Sequence, residues 1–296
     1  MRVTSSMMVR STLRDLSQGL SRLQESQTQV STNKQLTRPS VNPGATASAM
    51  GMRQDLRRAG QRMRSLDDAQ GWLESADNAL TSALGALGRA KELAVRAGNS
   101  GAGLDAIARQ ALVAEIGSIR SEMVALANTT YGSRSVFNGT MNGPAYDANG
   151  VYLGNGASIV RDVAPNTSLA VNVNGPQAFG TSGGAVGNVF EVLDRLAMAV
   201  TNGNGAALAT EHANLDAARI TLGAATVEVG TRGARLIDAK SRAESDKLLL
   251  TTQLSQVEDV DIVEALIRVK AQENSYQATL QVAAKIIPVS LLDYLR

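Results

Sequence analysis

Catalysis or metal binding needs acid–base, nucleophilic or metal-ligating groups in clusters, and this chain offers few. Its one histidine, His212, stands between Glu211 and Ala213, and no cysteine occurs in 296 residues. Without a second His or a thiolate, a lone imidazole reads as an ordinary helix residue. Acidic neighbours occur at Asp67-Asp68 and at Glu258-Asp259-Val260-Asp261, where paired carboxylates could hold Ca²⁺. The second run lacks the glycine and spaced ligands of an EF-hand loop, so it is expected to be a solvated helix start. Gly101-Ala102-Gly103 and Gly203-Asn204-Gly205 follow no convincing strand and do not extend into phosphate-cradling loops. Arg53, Arg57, Arg58, Arg62 and Arg64 could attract nucleic acid, but helical spacing spreads them around the circumference without stacking aromatics. A solvated or subunit-facing surface is the expectation there. No catalytic residue, metal site or cofactor is expected, and no nucleic-acid partner.

Composition points from chemistry towards architecture. Hydrophobic residues make up 44%, charged residues 19% and aromatics only 3%, with a net charge of +2. A globular core of this length normally uses more large rings. Helices packed along thin seams of Leu, Val, Ile, Met and Ala manage with fewer, so an elongated helical protein is expected. No apolar run long enough for a secretory signal follows the N-terminus, and none is long enough to span a membrane.

The seams are legible. Val9, Leu13, Leu16, Leu20, Leu23 and Val30 recur at steps of four and three, a heptad pattern on one helix. Pro39 and Pro43 interrupt it with a rigid loop. A second long helix carries Leu56, Ala59, Met63, Leu66, Gln70, Leu73, Asp77, Leu80, Leu84 and Leu87, and a third carries Leu112, Ile116, Ile119, Met123 and Leu126. Residues 131–186 are rich in Gly, Asn and Pro, with Asn149-Gly150 predicting a type I′ hairpin and residues 168–173 alternating like a half-buried strand. Helical spacing returns at Phe190, Leu193, Leu196 and Val200. It continues through Leu215, Ala218, Leu222, Ala225, Val229, Leu236, Ala239 and Ala243. A terminal seam follows at Leu266, Val269, Tyr276, Leu280, Ala283, Ile287, Leu291 and Tyr294. Pro288 lies within those last heptads, where its missing amide interrupts a regular helix.

The layout is nearly symmetric about the β-rich segment, so the chain is expected to fold back there and pair its ends. Residues 1–64 carry 11 basic against 3 acidic side chains, and residues 256–296 carry 4 against 6, which favours their approach. The fold class expected is mainly α: an elongated antiparallel coiled coil or helix bundle formed by both chain ends, with a small central β domain. The divisions are residues 1–42 and 256–296 as the arms of a terminal coiled-coil domain, 43–130 and 187–255 as a helical bundle, and 131–186 as a β-rich insert.

Specific words in the sequence carry a resemblance. The opening Met-Arg-Val-Thr-Ser-Ser-Met-Met (residues 1–8), the block Val30 to Ser40 and the close Ser290-Leu291-Leu292-Asp293-Tyr294-Leu295 resemble the flagellin family. Val136-Phe137-Asn138-Gly139, Val229-Gly230 and Glu258-Asp259-Val260-Asp261 agree with it as well. The family usually has Gly where this chain has Asn33, and acidic residues near Val41 and Asn42. The resemblance implies a structural subunit of the bacterial flagellum, an adaptor between hook and filament that polymerises through its terminal helices and is not an enzyme. It further implies extracellular placement by type III export without a cleaved signal. The partners implied are other copies of itself, neighbouring hook-associated and flagellin subunits, and an export chaperone on the C-terminal arm. The two terminal seams would then be assembly surfaces. Arg89, Glu92, Leu93 and Arg96 lie in a stretch resembling the flagellin helix that innate immune receptors recognise, although a packed helix accounts for it. A filament-forming flagellin is the alternative reading. A secreted enzyme or binding protein using the β insert is a third, weakened because that insert holds only Asp147, Arg161 and Asp162 as charged residues after Arg134.

Overall fold

The computed structural model describes residues 5–99, 105–164 and 167–294, with side chains described within those ranges from Met7 to Lys285. About three quarters of the described residues are helical, and they form seven helices and two small antiparallel sheets. In chain order these are α1 (Ser5–Thr32), α2 (Pro43–Asn99), α3 (Ala106–Ala127), β1 (Thr130–Tyr131), β2 (Arg134–Ser135), β3 (Val160–Ala164), β4 (Thr167–Ala170), α4 (Gly175–Phe179), α5 (Val189–Asn202), α6 (Gly205–Glu258) and α7 (Ile262–Tyr294). They make two compact units, Met1–Ala59 with Asp246–Arg296, and Gly60–Ser245. The boundaries fall inside α2 and α6 rather than at residues 42 and 255, and the β-rich segment lies within the second unit. No described helix is long and apolar enough to cross a membrane.

In the second unit, α2 repeats strictly every seven residues. Leu66, Leu73, Leu80 and Leu87 form one buried stripe, and Ala69, Ala76, Ala83, Ala90 and Ala97 form another. Trp72, Ala79, Ala86 and Leu93 add a third. The expected flank of Gln70, Asp77 and Leu84 is only half-buried, because the alanine stripes take the core face instead. From α6, Leu215, Leu222, Val229 and Leu236 join the same core, as do Leu112, Ile116, Ile119 and Met123 of α3. Ion pairs stitch the helix edges: Lys91 to Asp216 at 2.6 Å and Lys240 to Asp67 at 2.8 Å. Capping fixes the boundaries. Asp105 accepts from the Ala108 amide at 2.6 Å, Asn188 accepts from the Glu191 amide at 2.9 Å, and Gly203 ends α5 in the left-handed region at φ 61°.

The β-rich segment is short-stranded. β1 pairs with β2 through Thr130↔Ser135, and β3 pairs with β4 from Val160↔Ala170 to Ala164↔Thr167, with a bulge between Asp162 and Ala164. The expected strand over 168–173 is thus realised at Thr167–Ala170, after which Val171, Asn172 and Val173 run on buried. All three phenylalanines of the chain gather here around Tyr146. Phe137 meets Phe179 at 5.2 Å between ring centroids, and Tyr146 meets Phe190 of α5 at 4.9 Å. The scarce rings are therefore spent on one cluster that ties the loops of this segment to a helix.

Two local expectations are corrected. At Asn149-Gly150 only Gly150 has positive φ, 80°, so the turn is not type I′. The Gly150 amide donates to the Asp147 carbonyl at 3.1 Å and the Asp147 amide to the Val151 carbonyl at 3.1 Å. That is a longer connection closed by a left-handed glycine, with Tyr146 bridging Tyr152 across it. At the C-terminus, the α7 backbone stays helical through Pro288 to Tyr294, since one missing amide is a local loss within a helix of 33 residues.

The turn assignment makes a prediction. A Cβ on Gly150 would stand 2.6 Å from Cβ of Phe190, on top of the strained φ. Gly150→Ala should cost about 2–4 kcal/mol in thermal or denaturant unfolding. Asn149→Ala should stay within about 0.5 kcal/mol. Equal losses at both positions would restore the type I′ assignment.

Candidate assembly interface

The terminal unit is built from sequences that favour long helices and leave them thinly packed. In α1, Ser and Thr side chains fold back onto the helix, as where Thr12 Oγ1 donates to the Met8 carbonyl at 2.9 Å and Thr32 Oγ1 to the Thr28 carbonyl at 2.7 Å. α1 packs antiparallel to α7, with Lys34 opposite Asp259 just beyond one end and Gly19 against Tyr276 along the seam. Small residues permit the approach: a Cβ on Gly19 would already touch the Tyr276 ring at 3.5 Å, and Ala265 and Ala283 are buried on the facing side.

The pairing divides the expected seam in two. Leu23, Val269 and Ala283 are buried, and Val9, Leu16, Val30 and Tyr276 are half-buried. Leu13 and Leu20 remain 52% and 40% exposed, and Leu266 and Leu280 remain 49% and 42% exposed. The physical reason is the heptad itself. Two paired helices bury one stripe each, and residues of the adjoining stripe stay outside it. Ile287, Leu291 and Tyr294 have side chains outside the described residues. More than half of the exposed large apolar side chains among the described residues lie in the terminal unit, although it is the smaller of the two.

At the joint between the helices, the acidic run is not the solvated helix start that its composition suggests. Glu258 ends α6 and is 2% exposed. Arg53 pairs with it, Nη2 donating to Oε2 at 2.8 Å, while Nε lies 2.6 Å from Oε1 as an ion-pair contact without hydrogen-bond geometry. Lys34 Nζ sits 2.6 Å from Asp259 Oδ1 and 3.3 Å from Glu258 Oε2, and Ser255 Oγ donates to Asp259 Oδ2 at 2.6 Å. Only Asp261 behaves as a helix start, its Oδ1 accepting from the amides of Val263 and Glu264 at 2.9 and 3.2 Å. The hydrogen bond to Asp259 raises the Lys34 pKa above its ordinary value. The bonds from Lys34 and then Ser255 hold the Asp259 carboxyl below its own. Composition could not reveal this cluster, because its cations come from the other end of the chain. The charge of Arg53 is thereby paired, while its side chain stays 53% exposed.

The receptor-like stretch is mixed. Leu93 is in the core of the second unit, Arg89 pairs with Glu122 of α3, and Glu92 and Arg96 are exposed on α2. His212 lies on α6 with Nε2 3.9 Å from Asp216 Oδ2, one turn along the same helix.

Comparison with known proteins agrees with this architecture. The bacterial flagellin N-terminal helical region matches residues 3–142 and the bacterial flagellin C-terminal helical region matches residues 208–295, together most of the chain. Flagellar hook-associated protein 3 of Escherichia coli is 27% identical over 274 residues, covering 88% of this chain and 82% of that protein. Flagellin of Bacillus subtilis is 24% identical over 280 residues, covering 90% of each. Among solved structures, FlgL of Bacillus cereus superposes with a TM-score of 0.59 at 22% identity, over 69% of this chain and 99% of that one.

The paired charges have a definite pH window. The lowered Asp259 carboxyl stabilises the fold above the ordinary carboxylate range, and that stability is lost as pH falls through its folded value. The raised Lys34 stabilises the fold below the ordinary lysine range, and that stability is lost as pH rises through its folded value. Both side chains are partly solvated, so a Lys34→Ala, Asp259→Ala double-mutant cycle should give a coupling of about 0.5–1 kcal/mol at neutral pH. It should fade as pH falls through the folded value of the Asp259 carboxyl, and coupling that survives full protonation of that carboxyl would exclude an ionic origin.

Proposed function

The chain belongs to the bacterial flagellin family, and from that premise we propose that it is a hook-associated structural subunit seated at the junction of hook and filament. The observation that carries polymerisation is the second apolar stripe of the terminal unit. The pairing of α1 with α7 leaves Leu13, Leu20, Leu266 and Leu280 facing outwards. Fully burying an aliphatic side chain contributes about 1.5–3 kcal/mol, so such a stripe is a strong drive towards other terminal helices. Copies of this chain, hook-associated neighbours and flagellin subunits would supply them. Before assembly, an export chaperone covering the outer face of α7 would keep the same stripe from premature contacts. Passage through the flagellar export route, with the arms unfolded, fits their thin packing.

The role is structural rather than catalytic. Support for the adaptor over a filament-forming flagellin comes from the opening Met-Arg-Val-Thr-Ser-Ser-Met-Met and the Tyr-containing close, together with the likeness to hook-associated protein 3. The comparable match to a Bacillus flagellin keeps the second reading in play. Electron microscopy of cells lacking the chain separates them. Hooks without filaments are expected for a junction adaptor, whereas intact filaments on those hooks would remove that reading.

A second test addresses the stripe. Leu13→Ser with Leu20→Ser replaces exposed side chains, so the monomer's unfolding free energy should change by about 1 kcal/mol or less. Incorporation onto purified hooks should nevertheless be lost. Normal incorporation of a folded double variant would show that assembly uses another surface.

A further inference from the structure

Asn-Gly occurs seven times in the chain, always within residues 138–205. The pair carries its own chemistry. The backbone nitrogen of the glycine can attack Cγ of the asparagine, since glycine has no Cβ to block the approach and turns freely into the geometry required. A C–N bond forms, the Cγ–Nδ2 bond breaks, and ammonia leaves having gained the amide proton. Water then opens the succinimide ring at one carbonyl to give aspartate, or at the other to give isoaspartate. No enzyme, metal or oxidant enters the balance. A hydrogen bond that engages the glycine amide, or bonds that fix the asparagine carboxamide, hold the reaction back, because they must break before nitrogen can meet carbon.

Six of the seven pairs are held. The Gly150, Gly175 and Gly203 amides donate to the carbonyls of Asp147, Phe137 and Val200 at 3.1, 2.9 and 3.2 Å. Asn155 accepts from the Thr140 amide at 3.0 Å and donates to the Thr140 hydroxyl at 2.9 Å. Asn204 caps α6, accepting from the amides of Ala206 and Ala207 at 3.1 Å. Asn138 is 1% exposed and donates to the carbonyls of Met141 and Gly143 at 3.3 and 3.1 Å. Those last two bonds frame the seventh pair, Asn142-Gly143. They grip the carbonyls on either side of Asn142, yet among the described residues neither the Asn142 side chain nor the Gly143 amide has a hydrogen-bond partner. Both residues are exposed, and the space around Gly143 is open, with nothing within 4 Å of where a Cβ would stand.

We propose that Asn142 is a site of spontaneous modification, converting to aspartate and isoaspartate in the folded protein while the fold protects the other Asn-Gly pairs. The product places a carboxylate on an exposed loop of the second unit where an amide stood. The isoaspartyl form also lengthens the backbone between the two carbonyls that Asn138 holds, which strains both bonds and loosens the loop. The reaction concerns only residues of the second unit and does not depend on the role proposed above.

Full-length protein held in mildly alkaline buffer tests this, with the acid formed at each Asn-Gly followed by peptide mass spectrometry in the folded chain and in urea. In the folded chain Asn142 should convert about tenfold faster than the other pairs, the rate factor of roughly one hydrogen bond. Its rate should rise with pH, because the deprotonated amide nitrogen is the nucleophile. In urea, where the protecting bonds are gone, the rates should converge. Asn142→Ser, at an exposed position, should leave the unfolding midpoint unchanged and remove most of the modification. The proposal is overturned if another Asn-Gly pair converts as fast as Asn142 in the folded chain, or if a folded Asn142→Ser variant accumulates acid at the parent's rate. It is equally overturned if Asn142 keeps its lead in urea, since the lead would then come from neighbouring residues and not from the fold.

Discussion

A heptad written in leucine and alanine on α2 is the constraint on which the second unit depends. Leu66, Leu73, Leu80 and Leu87 provide the volume, while Ala69, Ala76, Ala83, Ala90 and Ala97 leave room beside them, and all are buried. Alternating large and small residues lets facing layers interdigitate at crystal-like density, and a strict seven-residue period keeps the same face inward along the helix. α6 repeats the device with Leu215, Leu222, Val229 and Leu236 set against Ala218, Ala225 and Ala239. Because these seams fill themselves with aliphatics, the chain needs few rings. It places Phe137 and Phe179 in the irregular β-rich segment, where periodicity cannot help, and Phe190 on α5 to meet them.

The terminal unit follows the same period with a different result. Its heptads supply more apolar surface than one partner helix can cover, so one stripe meets the seam and another faces out. The difference between the units is not hydrophobic content but the number of neighbours. α2 is buried on three adjoining stripes, which requires more than one neighbouring helix, whereas α1 among the described elements has α7. Stability in the first case and association in the second arise from one sequence rule applied with and without enough partners.

Much of this was legible in the sequence, and the limits of legibility are physical. Helices are local, so α1, α3, α5 and the break before α7 follow from spacing and from Asn, Gly and Pro signals alone. Apart from Ala59, the buried alanines of α2 lie off the seam that spacing predicts, because Ala carries a weak hydrophobic signal and suits either face of a helix. The turn at Asn149-Gly150 was located but mistyped, since the Asn-Gly pair specifies a bend and the surrounding contacts with Tyr146, Tyr152 and Phe190 select its form. The acidic run at 258–261 was misread for a deeper reason. A buried carboxylate looks like a solvated one until its cations are known, and Lys34 and Arg53 lie more than two hundred residues earlier.

That non-local origin also explains why a polar cluster, rather than another leucine pair, holds the ends together. An apolar contact between α1 and α7 can slide by a heptad at little cost, because every seventh residue offers a similar surface. Charges at a single position cannot slide. Displacing Glu258 from Arg53 and Lys34 leaves a buried ion without a partner, a penalty far larger than the difference between two leucine registers. The reciprocal backbone bonds of Asn33, Gln35, Glu258 and Val260 reinforce the same alignment. The ends of the chain thus obtain their register from one polar point and leave their apolar surface uncommitted, which is the condition that a helical arm must meet if it is to be both correctly paired and free to associate.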